Sequence, residues 1–155
     1  MNRDEYFMSI ALDNAKKAFE MGEIPIGAVA VQDNQIIAFA HNETEQSKQA
    51  AAHAELLCLQ KAAEVIGDWR CLDVTLYSTL EPCSMCLGAM FLYRIKTLVW
   101  AAPDLRHGAC GSFCNLQKLP HPTHNLEMRK GVLETESAEL MRTFFKRRRD
   151  AKIAR

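Results

Sequence analysis

Apolar residues return at helical intervals between Asp4 and Phe19, where Phe7, Ile10, Ala11, Ala15, Ala18 and Phe19 share one face before Gly22 stops the run. Pro25 resets the chain. Ile26–Val31 and Gln35–Ala40 are short runs rich in β-formers around Asp33-Asn34, a pair suited to a tight hairpin turn, so they predict two antiparallel strands. Residues 41–49 are polar and without period, which predicts a loop, and loops placed between elements commonly meet ligands. Leu56, Leu57, Leu59, Ala62 and Ala63 then predict a second helix from about Ala52 to Ile66, ended by Gly67, with His53 in its first turn.

The second half alternates more regularly. Asp73–Leu80 reads as a buried strand running into Pro82, which suits the start of a helix over about Cys83–Tyr93. Thr97–Ala102 is another buried strand, and a loop bearing Pro103, Gly108 and Gly111 follows. A strand near Leu126–Leu133 and a basic C-terminal helix over about 135–155 close the chain, with Leu140, Met141, Phe144 and Phe145 facing inward. A hairpin followed by helix, strand, helix, strand predicts one α/β domain over residues 1–155, a mixed sheet with helices on both faces in three layers.

Composition bounds the function. At 155 residues the chain can bury a core without disulfide support, and its hydrophobic content of 48% and charged content of 25% are ordinary for a globular protein. No apolar run approaches the roughly 20 residues of a membrane span, and the N-terminal stretch lacks the apolar centre of a secretory signal. The expected location is the cytoplasm, where six cysteines suit metal ligation or reduced thiols better than disulfides. The net charge of zero hides an asymmetry: residues 141–155 hold seven basic side chains against Asp150 alone, +6, so the other 140 carry −6. Such a tail is either a solubilising helix end or a nucleic-acid contact.

The candidate chemistry lies in Glu81-Pro82-Cys83-Ser84-Met85-Cys86 and His53-Ala54-Glu55. Cysteines three apart share one face of a helical turn and can close on one ion, with His53 as third ligand. Two thiolates and an imidazole suit zinc, and three protein ligands leave the open position that distinguishes a catalytic site from a structural one. Both sets fall at predicted helix starts, where the positive end of the dipole is expected to lower the thiol pKa of Cys83 and Cys86 alike. Glu55 is the candidate to move a proton between water and a leaving group. Residues two apart on a regular helix point to nearly opposite sides, so His53 and Glu55 share a site only if the helix start is irregular or the site lies against its end.

His-x-Glu followed by Pro-Cys-x-x-Cys is the signature of zinc nucleobase deaminases. Beyond it, the stretches Pro25-Ile26-Gly27-Ala28-Val29, His41-Asn42, Thr79-Leu80-Glu81-Pro82-Cys83, Gly88-Ala89-Met90, Gly108-Ala109-Cys110-Gly111-Ser112 and Phe144–Arg149 resemble the bacterial tRNA-specific adenosine deaminases of the cytidine deaminase superfamily. The resemblance implies a cytidine-deaminase-like fold, a homodimer, and hydrolytic deamination at C6 of the wobble adenosine in a tRNA anticodon stem-loop, giving inosine and ammonia. It implies that His53, Cys83 and Cys86 hold one Zn²⁺ and that Glu55 shuttles the proton. Asn42 matches a position that hydrogen-bonds the base, Asp104 and Arg106 a loop touching the nucleotide backbone, and Arg147, Arg148 and Arg149 a basic helix end that meets the anticodon stem.

The chain departs from that family at Gln49-Ala50-Ala51-Ala52, where Asp-Pro-(Ser/Thr)-Ala is usual, so a proline and a polar cap are missing before the helix. Pro103 stands where a basic residue is common. Cys58, Cys71, Cys110 and Cys114 read as free or packed thiols, and His107, His121 and His124 as loop residues. The rival readings are a zinc deaminase of a free base or nucleotide (guanine, cytosine or deoxycytidylate) and a non-catalytic RNA-binding protein with structural zinc.

Overall fold

The computed structural model describes residues 1–153. Helix α1 (Arg3–Glu20) opens on a reciprocal capping box between Asn2 and Glu5. Strands β1 (Gly27–Gln32) and β2 (Gln35–His41) form the expected hairpin, and Asp33 and Asn34 both take positive φ, 52° and 61°, as a tight mirror-image turn requires. There follow α2 (Thr44–Ser47), α3 (Ala54–Ile66), β3 (Thr75–Leu80), α4 (Ser84–Leu92), β4 (Thr97–Ala102), a 3₁₀ turn at Leu116–Lys118, β5 (Glu127–Lys130) and α5 (Glu134–Ile153).

The sheet has five strands in the order β2-β1-β3-β4-β5. β1 pairs antiparallel with β2 and β3, while β3–β4 and β4–β5 are parallel. Successive residues of the central strands alternate between two cores, because side chains alternate across a sheet. Ala28, Ala30, Leu76, Leu98 and Trp100 face a core shared with α3 and α4, whereas Val29, Val31, Tyr77, Val99 and Ala101 meet α1 on the other side. α5 packs beside α1, with Phe144 edge-on to Phe19 at 5.6 Å between ring centroids. With both faces covered, β1 and β4 read as nearly continuous apolar runs in the sequence, and β3 is buried along its whole length. The close approach of α1 to β1 needs Gly27: a Cβ there would lie 2.0 Å from the Ala11 carbonyl oxygen.

The mixed three-layer sheet agrees with expectation, and four local expectations change. The 41–49 loop contains the single helical turn α2, α3 begins at Ala54 rather than Ala52, and the last strand is confined to Glu127–Lys130. Phe145 does not face inward: it is 36% exposed against 5% for its neighbour Phe144, since adjacent helical residues lie about 100° apart around the axis. The expected extension of the basic helix to Arg155 lies outside the described residues.

Candidate active site

Two helix starts meet at the site. His53 is the N-cap of α3 (φ −82°, ψ 145°) and Cys83 the N-cap of α4 (φ −75°, ψ 173°). Neither side chain caps its own helix; each turns toward the other. The His53 Nδ1 atom lies 3.5 Å from both Cys83 Sγ and Cys86 Sγ, and the three donor atoms fall within 4.8 Å of one another. Extended backbone at His53 removes the geometric conflict posed by the sequence, because His53 precedes the helix and Glu55 is its second residue.

The donor set fits zinc. Tetrahedral bonds of about 2.3 Å to sulfur and about 2.05 Å to nitrogen set a sulfur–nitrogen edge of roughly 3.6 Å, close to the spacing seen. A second observation points into the same space: Glu55 is buried, and its Oε1 has no hydrogen-bond partner among the described residues. Native proteins rarely leave such an atom orphaned unless a ligand or water answers it. Burial pushes the Glu55 carboxyl up to about 7, with His53 acting against the shift.

The thiols do not behave alike, contrary to the expectation that both fall. Cys83 is drawn down to about 4, first by the Cys86 thiol donating to it and further by His53. Cys86 is pushed up by that same donation, by burial and by Glu55. Cys83 also holds His53 toward its protonated form. A dication held by the three donors would deprotonate both thiols.

Two buried carboxylates outside the donor set shape the flanking segments. Glu23, 1% exposed, accepts from the amides of Glu45 (3.2 Å) and Gln46 (2.6 Å), fixing the start of α2, whose own cap residue Glu43 makes no side-chain cap. Glu81 holds residues 104–112. The available signal was a Glu directly after a buried strand, where a charge must find buried donors.

Asn42 is buried, and its Oδ1 accepts from the Ala54 amide at 2.9 Å. It therefore supplies, from 12 residues upstream, the polar cap that Gln49-Ala50-Ala51-Ala52 lacks. That segment folds as a turn, with Ala52 N–H donating to the Gln49 carbonyl and Glu43 N–H to the Ala52 carbonyl. Asp104 Oδ1 accepts from the amides of Arg106 and His107, so part of its carboxylate is engaged within its own loop, and the Arg106 side chain is exposed.

Arg147, Arg148 and Arg149 do not join the donor cluster. Arg147 lies over Phe19 at 5.0 Å and Arg148 over Phe144 at 5.2 Å; Arg148 also comes within 3.9 Å of Glu45 on α2, while Arg149 is exposed. The basic helix end therefore borders the segment that follows Asn42. Cys58, Cys71, Cys110 and Cys114 are free, and among the described residues they join no metal-like cluster. His121 stacks on Phe91 at 4.9 Å, and the His124 ring nitrogen Nε2 lies 2.6 Å from the Ile95 carbonyl oxygen.

A mixed five-stranded sheet presenting a histidine, two cysteines and a buried glutamate at two helix starts fits the donor set and layout of the nucleobase deaminases. Comparison with known proteins agrees and narrows it: the chain belongs to the MafB19-like deaminase family, which matches residues 1–149, and within it to the tRNA-specific adenosine deaminases. The tRNA-specific adenosine deaminase of Bacillus subtilis is 44% identical over 99% of this chain and 96% of its own. The chloroplastic tRNA(adenine(34)) deaminase of Arabidopsis thaliana is 43% identical over 94% of this chain, which spans only 12% of that longer protein. A solved structure from a study of A-to-I editing by tRNA deaminases at the wobble position of transfer RNA superposes with a TM-score of 0.80 at 39% identity, covering 87% of this chain and 98% of the other. No helix among the described residues is long and apolar enough to cross a membrane.

Proposed function

We propose that this protein hydrolytically deaminates the wobble adenosine of a tRNA anticodon to inosine, with one zinc ion held by His53, Cys83 and Cys86. The observation that carries the reading is the orphaned, buried Oε1 of Glu55 beside a donor set whose two sulfur–nitrogen edges suit tetrahedral zinc. When bound, zinc supplies Lewis acidity that brings a water from a pKa of about 15.7 toward about 7. Glu55 takes a proton from that water and returns it to the departing amine, so that a C–O bond forms at C6 of adenine, the C6–N bond breaks and ammonia leaves. Its burial removes competing solvent from the exchange.

The remaining residues bind and orient. Asn42 spends its oxygen on the cap of α3, which leaves its amide N–H groups to hydrogen-bond the base. Asp104 and Arg106 stand on the loop proposed to meet the nucleotide backbone. Arg147, Arg148 and Arg149 contact phosphates of the anticodon stem, which position the RNA without reading its sequence. We assign a homodimer, supported by the exposed apolar side chains Leu92 and Leu119 at an apolar cavity of about 680 Å³ lined also by Met85 and Phe91. We also assign the protein to the cytoplasm, a reading its free cysteines support.

The test is incubation of zinc-loaded protein with tRNA bearing adenosine at the wobble position, beside free guanine, cytosine and deoxycytidylate. Inosine in the tRNA supports the reading; turnover of a free base or nucleotide with none on tRNA overturns it.

A further inference from the structure

We infer that Glu81 is a positioning residue that holds the nucleotide-facing loop in register with the metal-binding turn, an inference that rests on the function proposed above. Its side chain is 2% exposed at the end of β3, two residues before Cys83. Oε1 accepts from the Asp104 amide (3.2 Å) and the Ser112 hydroxyl (2.5 Å), and Oε2 from the amides of Cys110 (2.9 Å) and Ser112 (3.2 Å). Three of these partners are N–H groups that can only donate, so the position demands a group offering several lone pairs and no proton.

The main chain of the same segment is stitched to the same loop. Glu81 N–H donates to the Ala102 carbonyl and Ala109 N–H to the Pro82 carbonyl, both at 2.8 Å, and Cys83 bridges Gly108. Gly108 itself lies against the carboxylate, where a Cβ would stand 2.3 Å from Glu81 Cδ and Oε2. A metal donor and the loop carrying Asp104 and Arg106 are thereby parts of one joint, with Glu81 at its centre. Burying a carboxylate at a strand end is costly compared with an apolar residue, and what the arrangement obtains for that cost is the loop's position.

Glu81→Gln tests this with little change of shape. The Gln oxygen can still accept from Cys110 and Ser112, and its NH₂ can donate to the Ser112 hydroxyl, so the Asp104 amide alone loses its acceptor. The zinc-loaded full chain is compared with Glu81→Gln and with Ser112→Ala, which removes one of the four donors and tolerates folding if the first variant does not. On tRNA with adenosine at the wobble position, Glu81→Gln is expected to raise KM about tenfold and Ser112→Ala about threefold, with full zinc content and kcat within about threefold of the unmodified protein. A merely structural role lowers the active fraction instead, so kcat falls with zinc content while KM stays fixed; that result, or unchanged KM in both variants, overturns the inference. Failure of the unmodified protein to form inosine overturns the function itself, a separate outcome.

Discussion

Asn42 is assigned two tasks that can be separated by a pair of substitutions. In Asn42→Ala the Ala54 amide, the first of α3, loses its acceptor inside the protein, because Asn42 is only 4% exposed. Leaving a buried donor unpaired costs about 1–3 kcal/mol, in line with the loss of a helix cap. For a domain of this size each kcal/mol moves the melting temperature by about 2–4 °C, so a central cost of about 2 kcal/mol lowers Tm by about 4–8 °C. Asn42→Asp keeps the accepting oxygen and adds a charge that the helix start favours by about 0.3–1 kcal/mol, opposed by its burial and by the neighbouring Glu55. Its Tm should stay within about 3 °C of the unmodified protein, yet it has no amide N–H to offer the base and should lose about 10- to 100-fold in kcat/KM on tRNA. Thermal unfolding of zinc-loaded samples, paired with inosine formation, measures both. An unchanged Tm in Asn42→Ala refutes the cap, and an unchanged kcat/KM in Asn42→Asp refutes the contact with the base.

Three further outcomes are expected. Asp4 receives Arg129 (2.9 and 3.0 Å) and the Tyr77 hydroxyl (2.8 Å), and the Arg129 hydrogen bonds hold its carboxyl below the usual range. The folded pKa being below the unfolded value of about 3.9, the associated stability is complete above that value and lost as pH falls through the folded pKa. In urea unfolding, the gap between the unmodified protein and Asp4→Asn should therefore be largest near neutrality and close in acid; a constant gap contradicts the linkage. Gly27→Ala drives a Cβ onto the Ala11 carbonyl and should lower the urea midpoint by the equivalent of about 3 kcal/mol, whereas an unchanged midpoint contradicts the close packing of α1 on β1. Replacing Arg147, Arg148 and Arg149 with Gln should weaken tRNA binding and flatten its log–log salt dependence by roughly 0.7–0.9 for each phosphate left unneutralised; an unaltered slope assigns the tail to solubility.

Much of the site was legible because its chemistry is written in short motifs at element boundaries. Pro82 and the strand before it place Cys83 and Cys86 at a helix start, and the unbroken apolar cores of β1 and β4 report a sheet covered on both faces. The relation of His53 to Glu55 was not legible, because it turns on a single residue lying outside the helix, and boundaries shift by a residue or two without a compositional trace. The roles of Glu23 and Glu81 escaped for a different reason. Their partners are backbone amides of segments about 22–31 residues away, and backbone donors carry no sequence signature. The missing cap at Ala52 looked like a loss in sequence; the structure shows it replaced from Asn42.

The central claim is that Glu55 moves the proton in a hydrolysis carried out beside His53, Cys83 and Cys86. It is tested most directly by measuring zinc content and wobble inosine together for the unmodified protein and Glu55→Gln, which keeps the side chain's shape and removes its ability to carry the proton. Equal zinc in both proteins, with inosine only from the unmodified one, is the expected result. Inosine formed by Glu55→Gln at the unmodified rate would contradict it.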